Sequence, residues 1–596
     1  MPSLVEQLHT LVSAFRAEMR HEASLRGVRL ELARAWAASG AEEAARLAQT
    51  EILEASRVVR TSGLRLLEVT PEEEAAVAPW RARLQAGWPA PELGGPFMAC
   101  LLFHPVHELG VRPALEGAPL WMLADYVQML FEPPSLLLAA GESERYAQHL
   151  VGALQALEPA AARLGHVAED MVVRSLDVLQ AYFHDGDLRP LMAARGRLIE
   201  RFLRRRRYHL EHHFFRHPHA RLRVGLLAPA YPSNTESAFA LAHLTALHGT
   251  SFDVFVYAMR ACPGPMEDRC SALADHFIVL PEDLRHQVGR IRRDDLDLLL
   301  VMTNLGTTTN PVTLLCAHRL ARVQVASMAS PVTTGLPQID WFLSAEENDF
   351  ADAGDHYTER LWRMPGSLSH FAFGPEETPM PLSRVDLGLP AEGVVFFSAL
   401  NFYKLVPELV ADWAAVLAAV PDSVLALLPF NPLWQVSYPE AAFRRRLERQ
   451  LGVDSRRLRV LAPVPTRAHV MALLAHADVY LDGFPFAGAC SLFDPLALGV
   501  PVVVREGQSA RSRHGAVGAR MFDRGDLVAH DSAEYVRLAI ELGRNADRRA
   551  EVRSHLQQRL ARGNPMLDHA RFAAALVPAL RELASTAPAD TQEKAS

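Results

Sequence analysis

Lys404 stands four residues past the apolar run VVFFSAL (394–400). A single ammonium group at the carboxyl end of a strand can hold a diphosphate and neutralise charge developing on a leaving group. The alternative for any one lysine is a solvated surface side chain. A second stretch, YLDGFPFAGACSLFDPLALGVPVVVREG (480–507), joins a strand to a helix through small residues. Gly483, Ala487, Gly488 and Ala489 leave the backbone uncovered, so that amides can approach an anion closely. A helix start there would favour negative charge through its free N–H groups and its dipole. Ser491 and Asp494 have the spacing of a helix N-cap followed by an acidic residue, and plain capping accounts for a lone S-x-x-D. A carboxylate in that first turn can also bind ribose hydroxyls. His469 enters a helix in VPTRAHVMALLAHADVYLDGF, and Arg511 and Arg513 follow in REGQSARSRHGAVGARMF. These arginines have phosphate reach as one reading and solvated charge as the other.

The elements that must position these residues follow from the pattern. The chain has 596 residues, enough for two to four domains, and its composition is that of an ordinary soluble protein, 49% hydrophobic and 22% charged. A net charge of -8 gives no global electrostatic case for nucleic acid or a membrane surface. Five scattered cysteines without a CxxC pair suit a reducing compartment and argue against a disulfide framework or structural zinc. No apolar stretch is long enough for a bilayer span and the first residues lack a signal-peptide pattern, so a cytoplasmic location is expected.

Residues 1–215 carry apolar positions at three- and four-residue spacing and predict an all-α domain, with Gly40 as a helix stop. The basic, histidine-rich run RFLRRRRYHLEHHFFRHPH (201–219) reads as a solvated helix face and linker. From 221 short apolar runs alternate with helical material: RLRVGLLAPAY, VFVYAM, LDLLLVM, RVQVASM and IDWFLSA. A second series follows a Pro-rich linker at 375–393: VVFFSAL, SVLALLPF, LRVLAPV, VYLDGF and PVVVREG. Such alternation predicts parallel sheets with helices on both faces. The expected domains are 1–215 all-α, 216–380 and 381–585 doubly wound α/β, the last including a final amphipathic helix, and a disordered polar tail at 586–596. Ligands in such sheets bind outside the carboxyl ends of the strands.

Taken together, the stretches resemble the O-GlcNAc transferase family, including SPINDLY-type and bacterial members and the HMW-adhesin-type N-glycosyltransferases. The resemblance runs from about 221 to 582. It is carried by Leu400 to Lys404 after a strand, by PDSVLALL, by His469 ahead of ADVYLD, by Asp494 with LALGVPVVV, by Ser512-Arg513, and by SPVTTG (330–335) before IDWFLSAEEND. It implies a GT-B fold, an α/β architecture of two Rossmann-like domains preceded by the all-α region. It further implies that Lys404 contacts a sugar-nucleotide diphosphate with Asn401 beside it, and that His469 and Asp494 hold the nucleoside. Gly488, Ala489, Cys490 and Ser491 would face the β-phosphate, with Arg513 nearby.

The chain departs from the family in its first α/β loop, LLAPAYPSNTESAF, where Asn234 stands at a family histidine and Ala230 replaces an acidic residue. A second family histidine position is Asp297. Glu236 and Asp297 are therefore the candidate general bases, and an exposed loop carboxylate is the alternative for Glu236. The implied activity is inverting, metal-independent transfer of one sugar, GlcNAc or glucose, from a UDP-sugar to Ser/Thr or Asn of a polypeptide. GDP-fucose is also a family donor. No D-x-D element stands in a metal-binding context: DGD (185–187) lies in the helical region and DDLD (294–297) leads into a strand. Two other classes are compatible with the pattern, a nucleotide-sugar-binding protein without turnover and a sugar-nucleotide-processing enzyme such as an epimerase.

Overall fold

The computed structural model describes residues 3–214, 219–373, 382–431, 440–453 and 456–586. The end of the histidine-rich run at Pro218, the start of the Pro-rich linker and the polar tail lie outside the described residues. The chain forms two compact units. One comprises Met1–Ala181, Leu405–Ala414 and Phe430–Val460; the other comprises Tyr182–Lys404, Ala415–Pro429 and Leu461–Ser596.

The first unit is almost wholly helical, and two of its helices begin on capping boxes. Ser3 and Glu6 close a capping box on Leu4–Glu18, and Thr70 and Glu73 do the same for Pro71–Gly87, with Pro71 at the first helical position. Gly40 is the N-cap of Ala41–Leu47, just past the end of Glu22–Ala38. Trp36, Phe97, Tyr126 and Tyr146 are fully buried in this unit. A side chain at Gly95 would meet the Trp36 carbonyl at 2.3 Å, so glycine there lets Gly94–Leu101 lie close against Glu22–Ala38. Buried Arg29 is paired with Glu73, which makes one residue both a cap and a counter-ion. The unit also holds the short strand β10 (Leu458–Val460) and the helix Glu440–Leu451, whose Arg446 donates to the Leu138 carbonyl.

The second unit contains two parallel sheets. Among the described residues the first has seven strands: β1 (Leu222–Ala228), β2 (Phe252–Ala258), β3 (His276–Val279), β4 (Leu298–Val301), β5 (Val323–Ser327), β6 (Trp341–Ala345) and β7 (Arg360–Met364). Their order is β3-β2-β1-β4-β5-β6-β7. Val224 pairs with Val254 on one side and Leu298 on the other. Within this unit the second sheet contains β8 (Val394–Ser398), β9 (Ser423–Leu427), β11 (Val479–Leu481), β12 (Val502–Arg505) and β13 (Val528–Ala529), which run in the order β9-β8-β11-β12-β13. Strands buried on both faces need continuous apolar runs, and β4, β5, β9 and β11 are buried at every position. Three strands escaped the sequence reading. β3 and β7 are edge strands of mixed polarity, and β13 has only two residues.

Each sheet reverses its winding once, between β1 and β4 in the first and between β8 and β11 in the second. A crevice opens at such a reversal, outside the carboxyl ends of the strands. The final helix, His569–Ser585, was expected to close the second α/β domain. It packs instead against Thr235–Leu247 beside the first sheet, where Phe572 lies 5.0 Å from the His243 ring and 4.7 Å from that of His370.

Candidate active site

The reversal point of the second sheet gathers most of the residues singled out in the sequence. β8 ends at Ser398, and Phe402–Lys404 makes one 3-10 turn, closed by the Lys404 amide donating to the Asn401 carbonyl at 2.8 Å. The Asn401 amide donates to the Tyr403 hydroxyl at 2.9 Å. The Lys404 ammonium lies 3.7 Å from the centroid of the Phe486 ring, which belongs to the loop after β11. Burial pushes the Lys404 pKa down to about 8, and the charge of Asp482 opposes that shift. Asp482 is fully buried at the end of β11. Its carboxyl is pushed up to about 6 by burial, against hydrogen bonds from the Gly483 and Gly488 amides and the charge of Lys404.

That loop leads into the helix Cys490–Ala497, and its start differs from the S-x-x-D cap expected. The N-cap is Ala489, with no side-chain cap, so Ser491 lies inside the first turn and Asp494 lies beyond it. The Ser491 side chain instead acts on the Tyr480 hydroxyl on β11, countering part of the rise that burial gives its pKa. The amides of the first turn are left without a capping side chain, as an anion site at a helix N-terminus requires. Asp494 is 5% exposed and paired with Arg467 at 2.6 Å. Burial raises its pKa, and Arg467 counters this. The Arg467 guanidinium stacks 3.7 Å over the Phe373 ring. His469 lies in the first turn of Arg467–Leu474, where its Nδ1 is 2.6 Å from Oγ1 of Thr466, the N-cap. Arg467 and Asp482 were both missed by the sequence reading, although each sits within a motif it quoted.

The reversal point of the first sheet supplies Glu236. Asn234 caps Thr235–Leu247 and accepts from the Ser237 amide at 2.9 Å. Glu236, in the first turn, accepts from the Thr303 hydroxyl at 2.8 Å, just past the carboxyl end of β4. Burial raises its pKa, opposed by hydrogen bonds from Thr303 and Asn304. Burial pushes the Cys490 thiol up to about 12, opposed by the neighbouring Thr235 side chain. Glu236 thus follows directly on the residue that acts on the start of the Cys490–Ala497 helix.

Asp297 is not brought to this place. It precedes β4 at its amino end, accepts from the Arg223 amide at 2.9 Å and lies 3.6 Å from Arg322. The length of β4, roughly 3.3 Å per residue, separates it from Thr303 and Glu236. Arg511 and Arg513 do not extend toward an anion either. Arg511 is buried and donates to the carbonyls of Tyr182, His184 and Gly186, while Arg513 pairs with Glu506 at 2.7 Å. The N-terminus of their helix, Ala510–Met521, is filled from within the chain: Asp185 accepts from the Gln508 amide and, at 2.7 Å, from the Ser509 hydroxyl. Among the described residues one group of His and carboxylate side chains comes within metal-ligand range: His107, Glu108 and Glu142 in the first unit. Its acceptors are engaged, Glu142 by His107 and two backbone amides and Glu108 by Arg145.

A signal for Lys404 lay in the composition. Of 61 basic residues only Lys404 and Lys594 are lysine, and all the others are arginine. Arginine stays charged everywhere, whereas an ammonium is compact and responds to a dry site.

Residues 369–576 match the model of glycosyl transferase family 41. Over these residues the chain is similar to that family. The matched stretch takes in Asn401, Lys404, His469, Asp482 and the whole Cys490–Ala497 helix, but not Glu236. Its curated relatives include the probable UDP-N-acetylglucosamine–peptide N-acetylglucosaminyltransferase SPINDLY of Arabidopsis thaliana, 29% identical over 372 residues, which are 61% of this chain and 40% of that protein. The corresponding protein SEC of the same plant is 25% identical over 338 residues, 54% of this chain and 33% of the relative. The chain thus spans less than half the length of these relatives. A solved structure of a Thermobaculum terrenum O-GlcNAc transferase mutant superposes with a TM-score of 0.58 at 24% identity, covering 95% of this chain and 98% of that one. That likeness establishes the fold: two parallel doubly wound sheets in the GT-B arrangement, with a helical N-terminal region. No described helix is long and apolar enough to cross a membrane.

Proposed function

We propose that this chain is a protein glycosyltransferase that moves one N-acetylglucosamine from UDP-GlcNAc to a polypeptide side chain, with inversion at the anomeric carbon. The observation that carries the reading is Lys404. It is the one lysine among the described residues, and it sits at the reversal point of the second sheet inside the family 41 stretch, facing the loop that opens the Cys490–Ala497 helix. The names of the SPINDLY and SEC relatives favour UDP-GlcNAc as donor and a peptide as acceptor.

In this reading the acceptor oxygen or nitrogen attacks the anomeric carbon as the bond to the diphosphate breaks. Lys404 and the free amides at the start of Cys490–Ala497 take up the charge that develops on the leaving diphosphate, a role a divalent cation would otherwise fill. Glu236, half-buried beside Thr303, receives the acceptor's proton; its raised pKa suits a base near neutrality. Asn401 lies next to the diphosphate, and Cys490 and Ser491 flank it. Asp494 and His469 hold the nucleoside, with Arg467 fixing the Asp494 carboxylate.

The test is mass spectrometry of host proteins after co-expression, comparing wild type with Lys404→Ala and repeating with purified UDP-GlcNAc, UDP-glucose and GDP-fucose. An N-acetylhexosamine adduct on Ser, Thr or Asn that needs both Lys404 and UDP-GlcNAc is the expected result. Donor binding without any adduct, or donor consumption with no polypeptide present, overturns the reading.

A further inference from the structure

Lys404 is an ammonium group in a site that disfavours its charge. Burial lowers its pKa, and among the described residues the one charge that favours protonation is Asp482. The facing helix gives no help. His514 is buried with its Nδ1 unpartnered and is held neutral, its pKa pushed down to about 4 by burial, Lys404 and Arg511. Tyr480, on the strand that ends just before Asp482, keeps its proton because burial and Asp482 both raise its pKa.

The surroundings of Asp482 are shaped for a carboxylate. Its two oxygens accept from the Gly488 amide at 3.0 and 3.2 Å. A side chain at Gly515 would come within 2.3 Å of one oxygen, and one at Gly488 within 2.8 Å of the other. Between Gly483 and Gly488, the ends of the loop that Asp482 pins, lies Phe486, whose ring is the surface on which the Lys404 ammonium rests. The Tyr535 hydroxyl donates to the Asp482 carbonyl at 2.9 Å and fixes the strand end itself.

We propose that Asp482 is the positioning residue for Lys404: it curls the Gly483–Gly488 loop so that Phe486 lies under the ammonium, and its buried charge keeps that ammonium protonated. This rests on Lys404 as the diphosphate contact, yet its first test is independent of any turnover.

Because the chain holds two lysines, protein labelled with 13C at lysine Cε gives two signals, Lys404 and Lys594. In the full-length protein the Lys404 signal titrates near pH 8 and shows a second, smaller inflection near pH 6 as Asp482 takes a proton. In Asp482→Asn the main midpoint falls by about one pH unit, as expected when an opposite charge is removed, and the small inflection disappears. Lys594 does not move. An unchanged Lys404 midpoint in a folded Asp482→Asn variant overturns the proposal. So does a wild-type Lys404 signal with no inflection near pH 6, which decides the matter where the variant fails to fold. A shift in the signal that the alkaline limb of transferase activity does not follow leaves Asp482 in its role and removes Lys404 from the diphosphate.

Discussion

The Thr235 side chain acts on the Cys490 thiol, opposing the rise that burial gives its pKa, so the first turn of the helix after β1 faces the first turn of the helix after β11. Each of these helices starts at the reversal point of its own sheet, one carrying Glu236 and the other presenting uncapped amides. Under the proposed function these would be a base on one side and an anion site on the other, the arrangement that displacement of a diphosphate needs.

Lys404→Ala is expected to lower kcat by about 10²–10³ with the melting temperature unchanged, the cost typical of deleting one preorganised charge-stabilising donor. Lys404→Arg restores little, because a planar guanidinium cannot take the place of an ammonium seated on the Phe486 ring. Steady-state kinetics with thermal melts check both variants. Near-normal kcat in Lys404→Ala removes the role.

Glu236→Gln is expected to reduce kcat by about 10²-fold while donor affinity stays the same, since general-base catalysis typically contributes 10²–10⁴. The hydrogen bond from Thr303 can persist in the amide, so the fold is kept. Calorimetric donor binding beside single-turnover transfer separates the two effects.

Asp297→Asn should leave kcat within about twofold of wild type, because substitutions away from the chemistry act mainly on stability. Its contacts, the Arg223 amide and Arg322, belong to the amino end of β4. A large loss of kcat with unaltered melting would return Asp297 to the list of bases.

Activity should follow a bell in pH, and the signs come from the site. The folded Lys404 has its pKa lowered to about 8, so it is charged below that value and kcat/KM falls as pH rises through it. Asp482, raised to about 6, and Glu236, also raised, are ionised above their pKa values, so kcat/KM falls as pH drops below about 6. A profile flat from pH 5 to 9 contradicts this assignment.

Asp494→Asn is expected to weaken donor binding about tenfold with kcat nearly unchanged, the effect of losing one charge-assisted hydrogen bond of roughly 1.5 kcal/mol. Arg467, the partner of Asp494, should give a similar loss when replaced by Leu. Equilibrium titration with UDP-GlcNAc reads both.

The sheets were legible because strands such as β4, β9 and β12 are uninterrupted apolar runs between turn residues. β3 and β7 were not, since an edge strand exposes one side and carries polar residues such as His276 and Arg360. At the site, the loop of small residues and Lys404 could be read from type and spacing. What each carboxylate does could not. Asp482 and Asp494 are twelve positions apart in one motif, and only the fold shows that one turns in beneath Gly488 while the other meets Arg467. Asp297 illustrates the same limit in reverse: its chain neighbours enter the strand that leads to the crevice, but it stands at the other end of that strand. Arg511 looked free because the segment that engages it, Tyr182–Gly186, is far away in sequence.

The return of His569–Ser585 to the first sheet bears on how the molecule is made. Phe572, Leu576, Leu580 and Leu583 are buried, and Phe572 stacks on His370 and meets His243 on the helix that carries Glu236. During synthesis the residues that cover that helix leave the ribosome only after everything from His248 to Asp568 has been made. The first sheet must therefore wait, with an apolar flank exposed, while the second sheet is translated, an interval in which large proteins are open to aggregation. Removing residues from 569 onward would strip a wall from the first sheet.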